Sequence, residues 1–257
     1  MTAATFSPPF TAPDKLDAAL RGTGFAVLDP ASAAAWAGCS IAELDALRPG
    51  WDDLPPDAYL RDGGRYRRRR HACFVVAQGG AVRQAPHRAH WQPVEYNALH
   101  GGMQRWFASI HAEFVARPVW TRLMQALART AGALAAAQGR GNPGPWFVEA
   151  HQFRIDTTDG IGRPTPEGAH RDGVDLVAVF LVARTDIKGG ETRVFEADGP
   201  HGQRFTLTEP WSLMLLDDAR MIHESTPIQP TEAGGHRDTL VLTCRAGGFQ
   251  GDGVAGI

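Results

Sequence analysis

The chain has 257 residues, with 26 lysines and arginines against 28 aspartates and glutamates and a formal charge of −2. That length suffices for a full-sized core, and so even a balance supplies no global basic field to hold nucleic acid or an anionic membrane. Cys39, Cys73 and Cys244 are far apart and lack CxxC spacing, and no run of about eighteen apolar residues occurs, which argues against a disulfide scaffold, a zinc knuckle and a membrane span.

The opening "MTAATFSPPFTAPDK" has no basic stretch followed by an apolar one, so neither secretion nor a membrane span is expected, and the cytoplasm is the expected location. In chain order, "APDKLDAALRGTGFAVLDP" reads as a short capped helix, a glycine-marked turn and the strand "GFAVL", stopped by Asp29 and Pro30. Helical patterns follow near residues 31–37 and 41–48. The Pro/Gly/Asp-rich "RPGWDDLPPDAYLRDGG" then leads into an alternating strand, "RYRRRRHACFVVAQ". "MQRWFASIHAEFVA" and "PVWTRLMQALARTAGALAAAQ" predict two helices parted at Arg117, with Pro118 at the first position of the second.

From "GNPGPW" onward the pattern changes to short strands: "WFVEAHQFRID", "DLVAVFLVA", "ETRVFEA", "QRFTLTE", "WSLMLLDD" and "DTLVLTCRA", punctuated by Gly, Pro, Asp and Lys. That is the signature of an antiparallel sandwich or barrel. Helices first and strands later predict an α+β architecture with helices packed on one outer face of the strands. A single domain over 1–257 is expected, helix-rich to about residue 140 and β-rich over about 145–247.

Within "GAHRDGVDLVAVFLV", His170 and Asp172 precede a buried strand. Side chains at i and i+2 share a side, so these two face one space while Arg171 faces away. "LLDDARMIHESTPI" offers a third ligand, His223, 53 positions after His170. Two imidazoles and one carboxylate leave three positions open on an octahedral ion, the arrangement of non-haem Fe(II) oxygenases. In "GGHRDTLVLTC", Arg237 opens the last strand and Thr239 shares its face; a guanidinium buried in a barrel requires an anionic partner, and it can hold a carboxylate through two parallel hydrogen bonds.

The ordered set His170, Asp172, His223, Arg237 and Thr239 resembles the Fe(II)/2-oxoglutarate-dependent dioxygenases. More narrowly, "GAHRDGVDLVAVFLVARTDIKGGETRVF", "FTLTEPWSLMLLDDARMIHESTPI", "RDTLVLTC", "DAYLRDGGRYRRRR" and "YNALHGGMQRWF" look like the bacterial subfamily of L-isoleucine and related free L-amino-acid hydroxylases, over most of residues 50–246. The resemblance implies a double-stranded β-helix of the jelly-roll, cupin-like kind. It implies Fe(II) held by His170, Asp172 and His223, 2-oxoglutarate chelating that ion with its far carboxylate on Arg237, O2 as oxidant and ascorbate as a stimulant. The implied reaction hydroxylates a C–H bond of a small apolar amino acid and releases succinate and CO2.

Three further residues are candidate substrate contacts. Gln152 and Arg154 share one face of "WFVEAHQFRID"; the opposite register turns His151 inward instead. In "RYRRRRH", Tyr66, Arg68 and Arg70 lie on one side and Arg65, Arg67 and Arg69 on the other, with Arg68 the candidate for an α-carboxylate. The run is too short and isolated for a nucleic-acid groove. Asp175, at the start of its strand, reads as a turn cap, with contact to a substrate amine as the alternative. Two other functions share the pattern: the same oxidation of a different small molecule or a macromolecule, and a non-oxidative cupin-like protein with zinc or no metal. Oligomeric state is not legible.

Overall fold

The computed structural model describes residues 6–141 and 143–253. Helix α1 (Leu16–Thr23) ends at left-handed Gly24 and leads into strand β1 (Phe25–Leu28). Asp29 caps helix α2 (Pro30–Ala37) by accepting from Ser32 N at 2.7 Å, and α3 (Ile41–Asp45) opens with a reciprocal Ser40–Glu43 capping box. Helix α4 (Ala112–Val115) is a single turn, and α5 (Pro118–Ala137) carries its proline at the first turn, as expected.

The helix expected over "MQRWFASIHAEFVA" forms only at its end. Before it the chain is extended: Arg105 exchanges both backbone hydrogen bonds with His90, and Ser109 bridges His71. Tertiary pairing overrides the local apolar spacing there.

The remaining strands are β2 (Arg67–Val76), β3 (Val82–Gln84), β4 (Trp146–Asp156), β5 (Leu176–Thr185), β6 (Ile187–Gly189), β7 (Thr192–Glu196), β8 (Gly202–Phe205), β9 (Leu213–Asp217), β10 (Met221–Ser225), β11 (Ile228–Pro230) and β12 (His236–Ala246). A seven-stranded antiparallel sheet runs β1-β9-β5-β12-β4-β2-β3; facing it are the small sheets β10-β7-β8 and β11-β6. This is a double-stranded β-helix, a jelly roll with helices on one side.

Strand β5 is buried on both faces, which is why it reads as an unbroken apolar run. Its outer face joins Trp120, Leu123 and Leu127 of α5 and Phe74, Val148 and Leu242 of neighbouring strands in the main core. The inner face contributes Val177, Val179 and Leu181 to a smaller core with Met214, Val194 and Phe205, between the two sheets. Polar residues displace apolar ones on the inner faces of β2, β4 and β12, and there a cavity opens. Trp51, fully buried, donates its indole N–H to the carbonyls of Phe153 (3.1 Å) and Thr239 (3.2 Å), pinning β4 to β12 where the β12 register shifts between Asp238 and Thr239.

Candidate active site

His170 lies just before β5 and pairs with His223 of β10: each backbone N–H donates to the other's carbonyl, at 3.1 and 2.9 Å. Directly opposed residues of an antiparallel pair project to the same side, and the two rings sit 4.6 Å apart. The His170 Nδ1–H donates to Gly168 O at 3.0 Å, which leaves Nε2 to face inward. Asp172 completes the set, its two oxygens 3.9 Å from His170 Nε2 and 3.9 Å from His223 Nε2. Candidate ligand atoms of all three residues lie within 4.8 Å of one another, a set that can hold a metal ion.

Three neighbours position this group. The Asp218 carboxylate accepts from the N–H groups of Asp172 (2.9 Å), Gly173 (2.7 Å) and Val174 (3.0 Å), clamping the turn from below. Gln92 donates to Asp172 Oδ1 at 3.1 Å, while its own oxygen accepts from Asn97 and Arg105. Gly173 has φ +77, and a Cβ there would fall 2.4 Å from the Tyr96 ring and 2.7 Å from Gln250 Nε2. Only glycine fits that turn.

Burial raises the carboxyls of Asp172 and Asp218, the latter to about 7 with help from the Asp172 charge. Burial and His170 drive His223 well below its ordinary value. Burial also lowers His170, but the Asp172 and Glu167 carboxylates outweigh it and its pKa is raised. A bound dication suits all of these groups: it matches the crowded carboxylates and needs neutral imidazoles. Two imidazoles with one carboxylate suit ferrous iron.

Across the cavity, β12 presents Arg237, Thr239, Val241 and Thr243 inward. Arg237 is 5% exposed; burial and neighbouring Arg184 push it down to about 10. Asp238 points to the opposite face, where Arg154 holds it at 2.7 and 2.8 Å. Among the described residues no carboxylate lies within ion-pair distance of Arg237. An interior guanidinium without its own anion is a receptor for an incoming one.

The sequence expectations for Gln152, Arg154 and Arg68 are corrected. The register of β4 is the alternative one: Glu149, His151 and Phe153 face the cavity, whereas Gln152 donates to Gly50 O at 3.1 Å on the helix side. Arg68 pairs with Arg154 across the strands and binds Asp156 at 3.3 Å, also outside. The inward arginines of β2 are Arg67 and Arg69. Asp175 caps the sheet end, accepting from Ala246 N at 2.8 Å.

A second polar group in the wall went unrecognised in the sequence. Glu149 accepts from His71 Nε2–H (2.9 Å) and His90 Nδ1–H (2.7 Å), and His151 accepts from Arg69 Nη2 at 2.6 Å. Arg69 is sandwiched between Phe107 and Phe153, 3.7 and 4.4 Å from the ring centres. Glu149 and His151 stand two apart on β4, a spacing visible in the sequence once that register is chosen.

A barrel that brings His170, Asp172 and His223 to one point, opposite a guanidinium waiting for an anion, has the layout of an oxygenase coupling iron to an oxo acid. The chain belongs to the 2OG-Fe dioxygenase family, whose sequence profile matches residues 48–243. Its chemistry therefore uses Fe(II), 2-oxoglutarate and O2. A bsmA homolog from Methylobium petroleophilum PM1 is 51% identical, with 95% of this chain and 97% of that one covered and a TM-score of 0.88. Two remote structures share the fold. IDO from Bacillus thuringiensis is 16% identical at TM-score 0.71, covering 91% and 99% of the two chains. The Fe(II)/(alpha)ketoglutarate-dependent dioxygenase TqaL is 18% identical at 0.66, covering 93% and 89%. No curated protein matches. Among the described residues no helix is long and apolar enough to cross a membrane.

Proposed function

We propose that this protein hydroxylates a C–H bond of a small, apolar free L-amino acid, with His170, Asp172 and His223 holding the ferrous ion. Arg237 binds the distal carboxylate of 2-oxoglutarate, and the Thr239 hydroxyl beside it completes the clamp. With Fe(II) and 2-oxoglutarate bound there, O2 would be the oxidant: one of its oxygen atoms would enter the oxo acid as it splits to succinate and CO2, and the other would enter the substrate C–H bond. The chain's own residues orient and enclose. Asp218 and Gln92 hold Asp172 in place, the His170–Gly168 hydrogen bond keeps Nε2 free to ligate, and Val179, Met214 and Val241 keep water from the reacting face.

The observation that carries this reading is the buried Arg237, without a carboxylate partner among the described residues, sharing one cavity with the His/Asp/His set. The cavity between the two sheets, walled by both signs of charge, supports a small zwitterion over a macromolecule, with no nucleic-acid or membrane partner. The three unpaired cysteines support a reducing cytoplasm, and the shared core supports one domain over the whole chain.

Purified protein with Fe(II), ascorbate, 2-oxoglutarate and each proteinogenic L-amino acid should give substrate-dependent succinate and a product one oxygen heavier. A panel with no amino-acid-dependent succinate overturns the substrate assignment. If anaerobic Fe(II) and 2-oxoglutarate also give no metal-to-ligand charge-transfer band, the proposed ligand set falls with it.

A further inference from the structure

Besides Arg237 and Asp172, the cavity is lined by three guanidiniums, Arg67, Arg69 and Arg105, and two carboxylates, Glu149 and Glu167. Asp57 behind the wall supplies a third carboxylate, accepting from Arg67 Nε at 2.7 Å and facing Arg69 at 3.7 Å. His71, His90, His100 and His151 carry no charge near neutral pH, because burial pushes each of them down. The iron centre balances separately: ferrous ion and Arg237 offset Asp172 and the 2-oxoglutarate dianion, and behind them the Asp218 carboxylate is matched in number by the Arg184 guanidinium beside Arg237. A guest without net charge leaves the cavity neutral, whereas a net anion or cation leaves an uncompensated charge in a buried site.

Two members of this balanced set lack a formal counter-charge. Arg105, 2% exposed, donates Nη2 to the Gln92 oxygen at 2.9 Å, and its buried Nε has no acceptor. Among the described residues Glu167 has one charged or titratable contact, its Oε1 lying 3.5 Å from His170 Nε2, and its buried Oε2 has no donor. Arg67 also has a buried nitrogen, Nη2, without an acceptor. Arg67, Arg105 and Glu167 line the same cavity, yet among the described residues neither arginine approaches Glu167 within ion-pair distance. Two anion-seeking groups and one cation-seeking group thus look into the same space beside the proposed iron ligands.

We propose that Arg105 and Arg67 bind the α-carboxylate, and Glu167 the α-ammonium, of a zwitterionic amino acid. This rests on the amino-acid reading above and assigns its recognition to residues that the sequence did not single out. Held at both charged ends, the substrate has only its side chain left to turn toward the iron, and compounds lacking either end leave a buried charge unmatched.

The test is anaerobic calorimetry on the Fe(II)- and 2-oxoglutarate-loaded protein. Its probes are the proteinogenic L-amino acid that gives the most succinate, the corresponding deamino acid and the corresponding decarboxylated amine. In the wild type each truncated analogue should bind ~10- to 100-fold more weakly than the amino acid. Glu167→Gln should weaken the amino acid by a similar factor and close the gap to the deamino acid. Arg105→Gln should do the same for the gap to the amine, while outward-facing Arg68→Gln should preserve both gaps.

Wild-type protein that binds an analogue as tightly as the amino acid overturns the proposal without needing a variant to fold. Unchanged gaps in folded Glu167→Gln and Arg105→Gln do the same. Loss of Fe(II) by Glu167→Gln would mark Glu167 as an iron ligand and overturn its assignment here. In each of these cases amino-acid-dependent succinate by the wild type keeps the functional reading standing; if no amino acid supports succinate, both fall.

Discussion

In the proposed site Arg237 and Asp218 bear on one reaction from different distances, and their replacements should separate. On that reading, removing the Arg237 guanidinium removes a charged contact to the oxo acid, each such hydrogen bond being worth about 1.5–3 kcal/mol. Arg237→Gln should therefore raise the KM for 2-oxoglutarate ~10- to 100-fold and leave Fe(II) affinity within a few fold, as read from succinate and metal titrations. Equal loss in both titrations would contradict the assignment. Asp218 touches no ligand atom but accepts three backbone N–H groups around Asp172, so its effect passes through the metal. Asp218→Ala should weaken Mn(II) or Fe(II) binding ~10- to 100-fold, the usual size for a group that orients a ligand. Unchanged metal affinity in a folded Asp218→Ala protein would remove Asp218 from that role.

Among the strands and helices, Trp51 offers the sharpest test, because one indole N–H serves two strands. Trp51→Phe keeps most of the ring's burial against Phe114 and Trp211 but orphans two carbonyls at the β12 irregularity. A loss of about 1–3 kcal/mol is expected in urea unfolding, against under 0.5 kcal/mol if those carbonyls find water. Legibility at this scale followed the chemistry of each element. β5, β9 and β12 were readable because apolar β-branched runs bounded by turn residues have few other uses, and their placing is what makes His170, Asp172, His223, Arg237 and Thr239 candidates; the structure brings the first three together. β4 was not, because both of its faces are polar in the middle: Gln152 and Arg154 look outward under the loop around Gly50 while Glu149 and His151 look in, and periodicity alone cannot rank two polar faces. Residues 103–111 misled in the opposite way, their apolar spacing imitating a helix although backbone pairing to His90 and His71 holds them extended. Arg105 and Glu167 carry no motif, and only folding shows that their charges are unmatched.

For the molecule as a whole, the number of buried neutral histidines sets the response to acid. His90 is depressed to about 3 and His100 to about 4, and burial depresses His71, His151 and His223 as well. The unfolded chain takes up protons at these sites below about pH 6.5, which the folded chain refuses, so their contribution is complete above that pH and is lost as pH falls toward 3–4. Asp218, raised to about 7, Asp217, Asp172 and His170 slope the other way, but these four are fewer than the five histidines. The Tm of metal-free protein should therefore fall steadily from pH 7.5 to 5; a flat or rising Tm would show that the imidazoles are protonated in the fold.

The pairing of His170 with His223 has a consequence beyond geometry. The two residues are joined by a pair of backbone hydrogen bonds, so an ion held by both, as proposed, would also staple the loop before β5 to an edge of the small sheet. Iron capture would then add its binding energy to that strand pairing. Adding Fe(II) should slow amide exchange at these two positions more than in the main core.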